Sequence, residues 1–249
     1  MLVAEALIGA ADVPANEAAA ALGSGVAGKV LVSADFSSDE VDKKIFSRTS
    51  WNIPGTWELR DGVLACIYDS EKAPGKAHGK SIDPLFKAHD IRVSYRVRFD
   101  SDKANLVMIP NAGWPEKTGV PMWHMGSLNT RVATKPGGHD VSLGEVTFTR
   151  DINDPRVNKA RVNPQGVFEK NGGYPLSGGS SHGHDGLQVG RWHQFVFESV
   201  GKRWRVWVDG KESRSLDLEH GDYEKESVNL IGHGPLLLDD LLIEDIGNR

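Results

Sequence analysis

The stretch "DIRVSYRVRFD", residues 90 to 100, alternates apolar and polar side chains over nine consecutive positions, 91 to 99. A strand sends successive side chains to opposite faces, whereas a helix would scatter this pattern around its axis. Ile91, Val93, Tyr95, Val97 and Phe99 therefore share one face, and Arg92, Ser94, Arg96 and Arg98 the other. The pattern predicts a strand with one buried face and one wet, basic face. From Lys29 onward the same period of two recurs in short runs separated by glycine, proline and Asp-Gly pairs. In "TWELRDGVLACIY" and "RWRVWVDGKES" the apolar runs flank Asp61-Gly62 and Asp209-Gly210, which close tight hairpins. Further strands are expected at 30 to 36, 105 to 109, 141 to 149, 193 to 200, 203 to 208 and 236 to 244. The chain thus predicts an all-β fold, a two-sheet antiparallel β-sandwich.

Residues 1 to 28 differ. They are rich in alanine and form an expected N-terminal appendage, with a short helix over 4 to 22 ended by "GSG" at 23 to 25. Residues 29 to 249 are read as one sandwich domain, a common length for this architecture. Hydrophobic residues at 39% and charged residues at 25% are ordinary for a globular chain. A net charge of −5 argues against general nucleic-acid binding, which needs a basic surface. No apolar run reaches the roughly 20 residues of a membrane-spanning helix, so no membrane insertion is expected. Glu5 and Asp12 interrupt the start, so no intact signal peptide is visible. The single cysteine, Cys66, lies in "VLACIY" and reads as a small core residue. Trp51, Trp57, Trp192 and Trp204 also read as core.

Two regions lack periodicity, 110 to 138 and 151 to 190, and are rich in Gly, Pro, Asn and His. Long irregular segments in a compact domain tend to carry function. In "SGGSSHGHDG", residues 177 to 186, His182 and His184 project from one face of an extended chain with Asp185 adjacent. That set suits a divalent metal, and convergence with the Gly-His-Asp at 138 to 140 would add His139 and Asp140. The alternative is a solvated glycine-rich rim. In "PMWHMGSLNTR", Trp123, His124 and Arg131 combine an aromatic platform, a base near neutral pH and a cation, as a sugar subsite requires. Trp114 offers a second platform. The alternative is loop packing over the core. Arg92, Arg96 and Arg98, joined by Arg203 and Arg205, would bind uronate or sulfate groups if their strands share a face, or simply meet water.

The pieces "GTWELRDGVLAC", "HDIRVSYRVRFD", "GRWHQFVFESVGKRWRVWVDGKES" and "LLLDDLLIED" together resemble the concanavalin A-like lectin/glucanase superfamily. Within it they are similar to the 3-keto-disaccharide hydrolase family, over residues 30 to 245. The resemblance implies a jelly roll with carbohydrate bound on its concave side, an exported (periplasmic or extracellular) location, and cleavage of an oxidised glycoside. In that reaction a base removes the proton next to the keto group, and the glycosidic oxygen leaves by elimination followed by hydration. His124, or a histidine of the Gly-His-Asp loops such as His139, would be the base, and Arg131 or a metal would polarise the carbonyl. Arg96, Arg98, Trp114 and Trp123 would line the substrate site. The last strand is similar to those that hold a structural calcium, through Asp239 and Asp240 with the first strand near Asp35.

The chain departs from the family at "NLVMIPNAGWPEKTGVPMWHMGSLNTR", where members carry an Asn-Ser-Gly stretch ending in arginine. It also lacks the three near-alternate carboxylates of sandwich glucanases, so hydrolysis by paired carboxylates is not expected. A non-catalytic carbohydrate-binding module and a laminin-G-like interaction domain are the alternatives.

Overall fold

A computed structural model describes residues 23–37, 48–50, 57–67, 78–82, 86–111, 122–135, 138–149, 155, 174–175, 179–218 and 222–247. Among these are sixteen strands and no helix. Sheet A contains β1 (Lys29–Ala34), β3 (Trp57–Arg60), β4 (Val63–Cys66), β6 (Ile91–Phe99), β12 (Trp192–Val200), β13 (Arg203–Val208), β14 (Lys211–Asp217) and β16 (Leu236–Asp245). Sheet B contains β2 (Arg48–Ser50), β5 (His78–Ile82), β7 (Asn105–Asn111), β8 (Met122–Arg131), β9 (Val141–Thr149), β10 (Tyr174–Pro175), β11 (Ser180–Gly183) and β15 (Ser227–His233). Every pairing is antiparallel, in the orders β14-β13-β12-β6-β16-β4-β3 and β10-β9-β8-β7-β15-β5-β2.

The hairpins form where the Asp-Gly pairs put them. Asp61 and Gly62, and Asp209 and Gly210, all have positive φ, 53°, 78°, 48° and 80°. Two left-handed residues in sequence are the type I′ geometry, which matches the twist of the flanking strands. Asp209 also receives the Gln194 amide at 2.9 Å and lies 2.9 Å from His193 Nδ1, while His193 Nε2 accepts from the Gln188 amide. The Trp-His and Asp-Gly motifs are therefore one structural knot.

The alternation in β6 sorts as expected on one side only. Ile91, Val93, Tyr95, Val97 and Phe99 are all fully buried between the sheets. On the other face the expected wet, basic surface is present only in part, with Arg96 and Arg98 half-exposed. Arg92 and Ser94 are buried, because residues 23–28 cross the outer face of sheet A. Ser24 donates to Glu198, Val26 O accepts from Arg92, and Arg92 is paired with Glu198 at 2.9 Å and Glu244 at 3.2 Å. Trp57 and Trp204 do lie in the core, but Trp192 stands on the outer face under the guanidiniums of Arg96 and Arg98. Trp51 lies outside the described residues, as do residues 1–22. Cys66 is a free, buried core thiol.

The two sheets are keyed together by tryptophans of sheet A standing over glycines of sheet B. A Cβ on Gly126 of β8 would lie 1.9 Å from Trp204 Cη2, and one on Gly232 of β15 would lie 2.7 Å from Trp57 and 2.9 Å from Cys66 Sγ. Only a bare backbone lets these indoles reach across. This also explains why β8 was not apparent as a strand: its inward position at Gly126 is filled from the opposite sheet, so no apolar side chain marks it.

β16 serves two partners along one edge. Residues 236–238 pair with β4 and residues 241–245 with β1, while the other edge pairs with β6 throughout. The change occurs at a bulge between Asp239 and Leu242, where Asp240 takes a φ of 50°. A bulge inserts one residue and turns the strand, and Asp tolerates the left-handed conformation better than most residues.

At one margin Lys225 bridges Ala88 through backbone bonds of 2.8 and 3.1 Å. Its ammonium donates to the His89 carbonyl and lies 4.7 Å from the Tyr223 ring centre. Burial pulls its pKa down to about 8, against the opposing pull of Asp90 and Asp222.

Two outcomes are expected. Gly126→Ala should destabilise the fold by about 1–3 kcal/mol in chemical denaturation, since the Trp204 ring cannot move without opening the core. For Lys225 the folded pKa lies below that of the unfolded chain, which therefore binds more protons between pH 8 and 10.5. Stability should rise with pH across that window, by up to about 3 kcal/mol relative to a Lys225→Met variant.

Candidate functional site

The outward face of sheet B is built from the polar members of its alternating strands. In β7, β8, β9 and β15 the inward residues Leu106, Met108, Leu128, Leu143, Val228 and Leu230 are fully buried. Their neighbours in sequence face away. Register sets Arg131, Asn105 and His233 side by side across β8, β7 and β15. It likewise aligns Asn129, Ser142 and His182 across β8, β9 and β11. Val107, Ile109 and Ile231 form an apolar strip between these polar groups. Partial burial keeps the His233 imidazole below its ordinary pKa and so neutral at pH 7. Asn105, Asn129, Ser142 and His233 were not singled out from sequence. Their signal is the polar half of the period-two pattern in "NLVMI", "SLNTR", "VSLG" and "NLIGH".

The two Gly-His-Asp segments converge at one corner of this face. Asp140 is buried and accepts the backbone amides of Asp185, Gly186 and Leu187 at 2.7, 2.8 and 3.1 Å. His184 Nδ1 lies 3.0 Å from the same carboxylate. The Asp140 backbone is tied on both sides, donating to Gly183 O and accepting from the Arg131 amide. Asp185 in turn accepts from Ser213 Oγ at 2.8 Å and Arg214 Nη2 at 3.1 Å, which fastens the turn to β14 of the other sheet. Arg214 lies against the Gly183 backbone, in space that a Cβ there would occupy. Gly186, at φ 78°, completes the turn.

"SGGSSHGHDG" is thus an edge strand, β11, followed by a turn folded around Asp140. Its histidines face solvent. The rings of His139 and His182 stack at 5.3 Å with 28° between their planes, and His182 Nε2 lies 3.0 Å from Ser180 Oγ. Arg131 Nε donates to the His139 carbonyl at 3.3 Å. One guanidinium and three imidazoles, those of His139, His182 and His184, therefore share a corner.

That corner fits a metal poorly. Asp140 spends both oxygens on amides and Asp185 one on a hydroxyl and a guanidinium, while His184 lies on Asp140 and the rings of His139 and His182 stack on each other. Among the described residues no group of three or more His, Cys, Asp or Glu is arranged to hold an ion.

The other sequence candidates lie elsewhere. His124 pairs with Thr147, seven residues along β8 from Arg131, which in an extended strand is roughly 23 Å. His124 and Arg131 therefore cannot act as base and cation on one sugar ring. Trp123 shares the His124 end of β8, and Trp114 lies outside the described residues. Arg96 and Arg98 stand on the outer face of sheet A, on the opposite side of the sandwich. Arg98 is held by Asp100 at 2.8 Å, Arg96 by Asp239 and Asp240, Arg205 by Glu198 and Arg203 by Asp217. The five arginines share one face, but carboxylates neutralise the stripe. Asp35 caps its own turn, accepting from the Ser37 amide and hydroxyl at 3.0 and 2.8 Å.

No protein-family model matches the chain, and no curated protein is recognisably related in sequence. Solved structures share its fold. An endo-β-1,3-glucanase from Pyrococcus furiosus is 11% identical, with 89% of this chain and 96% of that one aligned at a TM-score of 0.55. A point mutant of SCLam, a non-specific endo-β-1,3(4)-glucanase co-crystallised with 1,3-β-D-cellotriosyl-glucose, is 13% identical, over 87% and 94% of the chains at 0.51. A GlcNAcα1-4Gal-releasing endo-β-galactosidase from Clostridium perfringens is 10% identical over 87% of this chain and 62% of its own, at 0.54. The protein has the concanavalin A-like jelly-roll fold.

Asp140→Ala should release the turn at 185–187 by removing the acceptor of three amides. About 2–3 kcal/mol of stability should be lost, with faster hydrogen exchange at Gly186 and Leu187 and little change in β6.

Proposed function

We propose that this protein takes a neutral carbohydrate across the outward face of sheet B, against the Arg131–His139–His182 corner. The observation that carries this reading is the corner itself. It sets a cation and solvent-facing imidazoles beside a surface of amides, hydroxyls and a narrow apolar strip. Sugars present hydroxyls at their edges and C–H groups on their faces, and such a surface matches both. The glucanases and galactosidase that share the fold support the same ligand class. Polysaccharides are encountered outside the cell, so an exported location belongs to this reading.

The chemistry that best suits the corner is cleavage of a 3-keto-glycoside. Among the described residues the eight strands of sheet B hold one carboxylate between them, Glu145, which gives little support to paired-carboxylate hydrolysis. A ketone at C3 acidifies the C2 proton, so one base and one cation suffice. His139 or His182 takes that proton, and Arg131 stabilises the charge that develops on the carbonyl oxygen. The C1–oxygen bond then breaks, the imidazolium returns the proton to the departing alcohol, and water adds across the new double bond. Neutral His233, in the same row as Arg131, is positioned to accept a hydroxyl hydrogen bond. Binding without turnover is the second reading. It is favoured by the turn-anchoring roles of Asp140 and Asp185, which leave the corner without a free carboxylate.

The test is release of the aglycone from a 3-keto-glucoside, followed beside binding of soluble β-glucans. A His139→Ala/His182→Ala double variant and Arg131→Ala should each lower kcat by about 100-fold or more, with the fold intact by circular dichroism. Turnover unchanged in both would sink the catalytic assignment. Glycan affinity that is lost in Asn129→Ala, without any turnover in the native chain, would establish the binding reading instead.

A further inference from the structure

The bulge in β16 places two carboxylates, Asp239 and Asp240, on consecutive residues beside the end of β1. Ala34 pairs with Leu241, so Asp35 stands one step further along, next to the bulge. Sandwiches resembling this one are expected to fill such a position with calcium. Here the position is already filled. Arg96 pairs with Asp239 across the β6–β16 ladder and donates from Nη2 to its Oδ2 at 2.7 Å. Its Nε lies 2.6 Å from Asp240 Oδ2, too far off the N–H axis for a hydrogen bond, so this second contact is chiefly ionic. The other Asp239 oxygen accepts the Asp240 amide at 2.9 Å. Behind the guanidinium the Trp192 ring lies with its centre 5.3 Å away, closing the side away from the carboxylates.

We propose that Arg96 is a built-in cation that occupies the place of a structural calcium. It clamps the bulge at which β16 changes partner from β4 to β1, and so makes the fold independent of divalent ions. Several features support this. The guanidinium is planar, permanently charged and able to face two carboxylates at once, which a lysine ammonium does less well. Asp239 is half withdrawn from water and close to Asp240, an arrangement that raises its pKa, burial being the larger cause, and that calls for a nearby positive charge. Asp35, the third carboxylate at this margin, spends Oδ1 on its own Ser37 turn. Both Asp239 oxygens and one each of Asp240 and Asp35 are thus engaged, which leaves few carboxylate oxygens for an ion with six to eight oxygen ligands.

The experiment compares thermal unfolding of the full chain and of Arg96→Ala after treatment with EDTA, then during titration with calcium chloride. The native chain should melt at the same temperature in EDTA and in calcium, and elemental analysis should find no stoichiometric calcium. Arg96→Ala should melt roughly 5 °C lower in EDTA. Calcium should raise it saturably, and the rise should vanish in Arg96→Ala/Asp240→Asn. If Arg96→Ala does not fold in EDTA, recovery of a cooperative transition on adding calcium supports the proposal in the same way. A native chain that loses stability in EDTA, or that carries stoichiometric calcium, overturns it. So does an Arg96→Ala variant that melts like the native chain, or one that is weakened but indifferent to calcium.

Discussion

Everything in this sandwich depends on how closely the two sheets approach, and two glycines set that distance. Trp204 of β13 and Trp57 of β3 each present an indole to sheet B at a point where the facing residue, Gly126 or Gly232, has no side chain. Face-packed sheets ordinarily stand about 10 Å apart with interdigitated side chains from both. Here one sheet supplies the bulk and the other the vacancy, so the register between sheets is fixed at two places rather than averaged along the interface. The T-shaped contact of Phe197 with Trp204, at 5.0 Å, extends that key into β12.

With the inner faces locked, the outer faces diverge in character. Sheet A answers each arginine with acids: Arg92 with Glu198 and Glu244, Arg96 with Asp239 and Asp240, Arg98 with Asp100. Buried or half-buried charges persist only when paired in this way. Beside Arg131, the described outer face of sheet B carries chiefly amides, hydroxyls and imidazoles. These need no counter-charge, so they can keep hydrogen-bonding capacity for a ligand. The two outer faces thus differ in how their polar groups are satisfied.

Much of the architecture was legible in the sequence, and the reasons are local. The β6 alternation and the Asp-Gly turns act through neighbours in the chain, and they give strand, face and hairpin directly. β8 was missed because Gly126 replaces an apolar marker with a vacancy filled from another strand. The basicity expected for the Arg92–Arg98 face is offset by acids that are mostly remote in sequence: those of Arg92 and Arg96 sit on β12 and β16, more than a hundred residues away, and only Asp100, beside Arg98, lies nearby. For "SGGSSHGHDG" the sequence raised the convergence of two Gly-His-Asp segments. It did not show that Asp140 and Asp185 would be consumed in holding the turn, because backbone amides leave no trace in residue identity.

The two partners of β16 also make sheet A a sheet of distant contacts. β16 lies inside it, with β6 along one edge and both the β3–β4 hairpin and β1 along the other. Among the described strands β1 pairs with β16, so Ala34 finds its ladder partner in Leu241, about two hundred residues along the chain. The β12–β13–β14 meander closes through short turns and can form early, whereas sheet A closes around β1 only when β16 is in place. Pairing over such separations is slow, because the loop-closure entropy is lost before the contact forms, and the apolar residues of β1 stay unpaired until then.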